Sequence, residues 1–189
     1  VWREVFKIRT INFASERKKK AEGIKIVTEF LQQLESVASI SAEQEGFSNI
    51  RFSHGDAHKQ KTIFVVTDDG KTEGMFVEAY KSFRPLQTYD LSAEPGYLYT
   101  TTADYIFYLS DNTLFTLPTA KFRCWADRNT DAFRKECLVE TNDGMEVHHH
   151  GFFIPKNRLR QDFAKGDTRV SIFRLRNPRT NDFDFVQEM

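Results

Sequence analysis

The chain has 189 residues, 40% of them apolar and 18 of them phenylalanine, and its 27 lysines and arginines are balanced by 27 aspartates and glutamates. That is enough apolar material for the core of one domain, or of a domain with an appendage, and it excludes a disordered tail. No apolar run reaches the roughly 18 residues that cross a bilayer, and the first residues lack the charged stretch, apolar block and cleavage site of a secretory leader, so the expectation is a soluble, cytoplasmic protein with no membrane partner.

In chain order, Trp2 to Ile11 reads as a short strand or arm. Residues 15–36 read as a helix, because Ile24, Val27, Phe30, Leu31 and Leu34 recur at spacings of three and four, with Ser15 as the N-cap. Its first half is polar on nearly every side, and Lys18, Lys19 and Lys20 oppose the helix dipole there, so they are expected to project into solvent or onto a partner. A polar connection over 37–46 leads to strands at 49–53, 62–67 and 75–80, the last two joined by a turn at Asp68-Asp69-Gly70-Lys71. A long polar connection, 82–102, precedes paired strands at 104–109 and 112–117 and a helix at 119–126. The final third reads as strands at 137–141, 147–154 and 168–175, a helix beginning near Pro155 and Leu159, and a polar tail that is either an ordered edge, the favoured reading, or a mobile binding peptide. These elements predict an α/β (α+β) domain with a mixed β-sheet and an N-terminal helix, divided into a core over 1–126 and a β-rich extension over 127–189 packed on it.

Charge is uneven along the chain. Residues 1–25 and 156–179 are basic, and residues 26–120 are acidic. Basic flanks around an acidic centre suit a protein that draws in a polyanion while carboxylates hold a metal. Tyr80, Phe83, Tyr89, Tyr97 and Tyr99 lie in and around the 82–102 connection, with Lys81 and Arg84 among them, and rings beside cations make stacking platforms for unpaired bases. The competing reading makes the same tyrosines half-buried rim residues.

Two stretches carry a family resemblance. Gly74-Met75-Phe76-Val77-Glu78, followed by Gly96, Thr100, Thr101, Ala103, Asp104 and Tyr105, resembles a phage-type branch of the PD-(D/E)XK nuclease superfamily over roughly residues 45–123. The resemblance implies a restriction-endonuclease-like core, a DNA substrate, a phage setting and Mg²⁺ held by two carboxylates, with a nearby lysine orienting water. Asp56, Glu78 and Lys81 are the residues it nominates, with Asp56 and Glu78 as metal ligands. One departure stands out: where the family places Glu-x-Lys, a gap-free reading gives Val65-Val66-Thr67. Glu78 and Lys81 are three residues apart, so in a regular strand they face opposite ways, and only a bulge at Ala79-Tyr80 would bring them together. The bland alternatives are an edge-strand carboxylate at 78 and a turn residue at 56.

The remaining motifs are weaker. Cys124 and Cys137 form no Cys-x-x-Cys pair, which argues against a zinc knuckle or a disulfide and for a reducing compartment. His54 and His58 flank Asp56 in an order that binds a transition metal if the loop folds back. In His148-His149-His150 the outer two share a face that could meet solvent, phosphate or a metal, and the expectation is a solvated run. No phosphate-gripping glycine loop, nucleophile elbow or dinucleotide fingerprint is present in the sequence.

The sequence therefore predicts a DNA-binding protein on a nuclease-like fold, favouring single strands through Lys18, Lys19, Lys20, Arg84, Tyr89, Tyr97 and Tyr99, with catalysis lost or rebuilt. A Mg²⁺-dependent endonuclease or exonuclease is the first alternative. A viral factor that engages a host or polymerase protein is the second, and a homodimer is left open.

Overall fold

The computed structural model describes residues 7–42, 49–54, 59–68, 74–85, 92–110, 113–142, 145–163, 165, 171–175 and 185–187. Its architecture is α+β, as the sequence indicates, with the strands divided between two mixed sheets. The first sheet has five strands in the order β1 (Lys7–Thr10), β9 (Arg134–Asn142), β10 (Met145–Pro155), β5 (Gly74–Pro85), β6 (Ser92–Pro95). The second has seven, in the order β12 (Phe185–Gln187), β11 (Ser171–Leu175), β8 (Thr113–Pro118), β7 (Tyr105–Ser110), β4 (Lys59–Thr67), β3 (Ile50–His54), β2 (Val37–Ala42). Two pairings are parallel, β1 with β9 and β4 with β7, and the others are antiparallel. No described helix is long and apolar enough to cross a membrane.

Alternation along β4 and β7 explains the layering. Ile63, Val65, Phe107 and Leu109 join one core cluster with Val27, Phe30 and Leu31 of α1 (Phe13–Gln32), and Ile106 and Tyr108 join a second with Met75 and Val77 of β5. Successive side chains point to opposite faces, so these strands are covered on both sides, by α1 on one and by the five-stranded sheet on the other. Phe122 and Ala126 of α3 (Thr119–Asn129), with Leu159 and Phe163 of the π-helical turn that follows α4 (Lys156–Arg158), close the second cluster. A fully buried phenylalanine such as Phe115 or Phe122 contributes about 1.5–3 kcal/mol by leaving water.

Several expectations change. The strands at 62–67 and 75–80 form no hairpin: β4 pairs with β3 and β7, and β5 runs its length against β10. The reason is burial, because β4 is apolar toward both faces and takes a central place that a two-stranded hairpin would not provide. The cap of α1 is Asn12, whose Oδ1 accepts from the Ser15 N–H at 3.1 Å, so Ser15 sits inside the helix. The 37–46 connection contains β2, and the 82–102 connection contains the end of β5, β6 and the single turn α2 (Tyr97–Thr100). Both missed strands lie at a sheet edge, where one side needs no apolar residues. Strands of the C-terminal third complete both sheets, β9 and β10 beside β5 and β11 beside β8.

Candidate functional site

A cleft of about 420 Å³ opens between the first turns of α1, the end of β4 and the face of the five-stranded sheet that carries Phe76, Glu78, His149 and Phe153. Glu16, Lys19, Asp68, Glu78, Tyr97 and His149 are among its walls. The central feature is a β-bulge. Along β5 and β10 the register runs Tyr80 opposite His150 and Glu78 opposite Gly151, which leaves Ala79 without a partner. The extra residue reverses the side-chain phase beyond it, so Lys81, opposite His149, falls on the same face as Glu78. Its Nζ lies 3.6 Å from Glu78 Oε1.

Glu78 is only 6% exposed, and a buried carboxylate needs partners. It has three. The Tyr97 N–H at the start of α2 donates to Oε1 at 3.2 Å, Lys81 faces the same oxygen, and His149 Nδ1 lies 2.5 Å from Oε2. The other ring nitrogen, Nε2, lies 3.3 Å from Oε2 of buried Glu140. His149 therefore lies between two buried carboxylates. His149 is thus a half-buried clamp on Glu78, and the solvated histidine run expected from the sequence is corrected. Its neighbours point to the other face of the sheet, where His148 meets Cys137 and His150 stacks on Tyr80.

Backbone proximity holds this arrangement. The Gly96 N–H donates to the Ala79 carbonyl at 2.8 Å, and a Cβ at Gly96 would lie 2.6 Å from the Glu78 carbonyl oxygen and 2.7 Å from its Cγ. Only glycine lets the chain entering α2 pass so close. Arg123 of α3 donates to the Leu98 carbonyl at 2.7 Å and the Thr101 carbonyl at 3.0 Å, tying down the far end of the same turn. Asp104 accepts from the Thr62 N–H at 2.9 Å and from Lys61 at 3.2 Å, which locks β7 beside β4. Burial works to raise the Asp104 pKa, but these donors win and hold it below the usual carboxylate range. The Gly96 to Tyr105 stretch is accordingly a brace behind Glu78.

Asp68, read from the sequence as a turn residue, stands at the end of β4 in the cleft wall. It accepts from the Tyr108 hydroxyl and, at 2.7 Å, from Ser110. Its sequence signal was its place directly after an apolar strand. Burial, then the Asp68 charge, pushes ionisation of Tyr108 far upward, so the phenol keeps its proton as a donor.

The other nominated residues are dispersed. Lys18 is exposed, as expected. Lys19 lines the cleft and pairs with Glu16 at 2.8 Å. Lys20 does not project into solvent: its Nζ sits 4.6 Å above the Phe64 ring, and burial together with Lys81 lowers its pKa, with Glu78 opposing. Tyr97 is not a free stacking platform either. Its ring stacks on Phe64 at 5.1 Å, its hydroxyl donates to the Phe76 carbonyl at 2.8 Å, and burial raises its pKa well above the ordinary value. Tyr99 remains 45% exposed and donates to Asp127 at 2.7 Å; desolvation and that carboxylate push its pKa up to about 12. Asp56, His58 and Tyr89 lie outside the described residues, as do the side chains of His54 and Arg84.

No family model matches the chain, and no curated protein matches it. Among solved structures it is similar to a bacterial homing endonuclease, at 11% identity over 58% of this chain and 73% of that chain, with a TM-score of 0.44. The functional reading rests on the cleft and its own residues.

Proposed function

We propose that the cleft receives a nucleic-acid strand, single-stranded DNA by preference, and that Glu78 and Lys81 serve metal-dependent phosphodiester hydrolysis there. The observation that carries this reading is the bulge at Ala79, which sets a buried carboxylate and an ammonium side by side. A carboxylate with a lysine on one face of one strand is what the PD-(D/E)XK resemblance leads one to look for, and the spacing Glu78-x-x-Lys81 supplies it once one residue bulges.

The donor set suits a hard cation. Glu78 and Asp68 present carboxylate oxygens to the same cleft, and Mg²⁺ is bound through oxygen. Bound there, the ion would neutralise charge on the scissile phosphate and acidify a water. The protein's own groups do the rest. Lys81 is placed to hold a non-bridging phosphate oxygen, His149 and the Tyr97 N–H fix the Glu78 carboxylate, and Lys18 and Lys19 along α1 offer positive charge to the incoming backbone. Hydrolysis adds water across a P–O bond, with the hydroxyl going to phosphorus and a proton to the leaving oxygen.

A second reading has its own observation. Both Glu78 oxygens already have protein partners, as a purely structural ion network would have. Strand cleavage by Glu78→Gln and Lys81→Ala separates the two. Catalysis at this site requires that Glu78→Gln lower the cleavage rate by about 10²-fold or more, as loss of a transition-state electrostatic group does, while DNA affinity stays within about threefold. Cleavage at the wild-type rate in a folded Glu78→Gln protein would sink the catalytic reading and leave a binding protein.

A further inference from the structure

The face of the five-stranded sheet opposite Glu78 and His149 carries a cluster that the cleft does not use. Cys137 on β9 is the cross-strand partner of His150 on β10, and His148 lies two residues along β10 on the same face. One donor atom from each of Cys137, His148 and His150 falls within 4.8 Å of the others. His148 turns Nδ1 toward the Cys137 sulfur at 3.9 Å. We propose that these three side chains form a binding site for a transition-metal ion of the Zn²⁺ class, with a fourth position open to water.

The chemistry of the donors selects the ion. One sulfur and two imidazoles are the borderline-soft set that Zn²⁺ takes and Mg²⁺ does not. Zn–S and Zn–N bonds of about 2.3 and 2.0 Å separate tetrahedral donors by roughly 3.5 Å, so small side-chain rotations close the cluster onto an ion. The surroundings orient the ligands in the way metal sites require. Glu146 Oε2 lies 3.1 Å from His148 Nε2, which fixes Nδ1 as the nitrogen left for the metal. His150 is held by Ser82 at 2.9 Å and stacked on Tyr80 at a centroid distance of 4.4 Å. Cys137 is only 4% exposed, while the two histidines are half-buried, which leaves the approach for an ion and its water on the histidine side.

Occupancy would pin β9 to β10 directly behind His149, whose ring projects to the cleft from between the two histidine ligands. This face and the cleft carry separate donor sets, so the two proposals stand or fall separately.

Cobalt is the probe. The full chain, reduced and stripped of metal, is titrated with Co²⁺ and then with Zn²⁺. One equivalent of cobalt is expected to give tetrahedral visible bands and a near-ultraviolet thiolate charge-transfer band, both displaced by Zn²⁺. Cys137→Ser should abolish the charge-transfer band, and His150→Ala, at a half-exposed position that should still fold, should weaken Zn²⁺ binding at least about tenfold. Glu78→Gln should leave the cobalt spectrum as it is. A cobalt complex with no thiolate band, or a spectrum that survives Cys137→Ser or disappears in a folded Glu78→Gln protein, would overturn the assignment.

Discussion

Glu78 shows how a buried charge is made tolerable and usable at once. An isolated carboxylate at its depth would cost several kcal/mol or take up a proton, whereas three donors from three different segments meet this one. Glu136, fully buried on β9, is handled in the same way by Arg9 at 2.8 Å and Arg134 at 2.5 Å, so β1 is fastened to the sheet by charge as well as by its ladder. Asp104 gives a pH dependence with a definite sign. Its folded pKa is depressed, so its contribution to stability is present above the unfolded value of about 3.9 and is lost as pH falls through the folded value. Asp104→Asn should melt below wild type at neutral pH, with the gap shrinking below about pH 4. Melting curves across that range check this; a gap that stays constant into acid would mean that the carboxylate's charge plays no part.

At the level of elements, β5 and β10 carry the proposed site, and their bulge is the feature on which it depends. Gly151 faces it, and a methyl group there would overlap the Val77 carbonyl oxygen and press on the Phe76 ring. Gly151→Ala should therefore cost about 1–3 kcal/mol as an overpacked contact and loosen the Glu78 and Lys81 pairing. Chemical denaturation measures the cost, and unchanged stability would show that the strands have room to spare. The helix α1 was legible because Ile24, Val27, Phe30, Leu31 and Leu34 recur with its period and pack on one face. The paired strands β7 and β8 were legible from their aromatic and β-branched runs. The edge strands β2 and β6 were not, since Val37-Ala-Ser-Ile-Ser-Ala and Ser-Ala-Glu-Pro have little apolar pattern to read. The clamp at His149 was equally hidden, because its carboxylates come from 71 and 9 residues away, and no local pattern announces that an interior strand turns a histidine between them. The bulge could be stated in advance only as a condition, because strand periodicity says where side chains should point and not where the chain gains a residue.

For the molecule as a whole, zero net charge conceals a basic helix beginning beside an acidic cleft. Lys19 lines the cleft, Lys81 stands beside Glu78, Lys18 is exposed on the same helix, and Lys20 is turned inward onto Phe64. If Lys18, Lys19 and Lys81 each meet a phosphate of a single strand, the salt slope is about −2, and a fourfold rise in salt lowers affinity by roughly twentyfold. An anisotropy titration at two salt concentrations reads this directly, and affinity indifferent to salt would remove the basic helix from the account.

As proposed, the bulge at Ala79 rebuilds a working carboxylate and lysine pair in a nucleic-acid cleft. Labelled single- and double-stranded DNA, incubated with the protein in Mg²⁺ or in EDTA and run on a denaturing gel, tests it most directly. Strands cut in Mg²⁺ and intact in EDTA, with binding in both, are the expected result. DNA that is bound but left whole in Mg²⁺ would contradict the account and make the Glu78, Lys81 and His149 network a structural one.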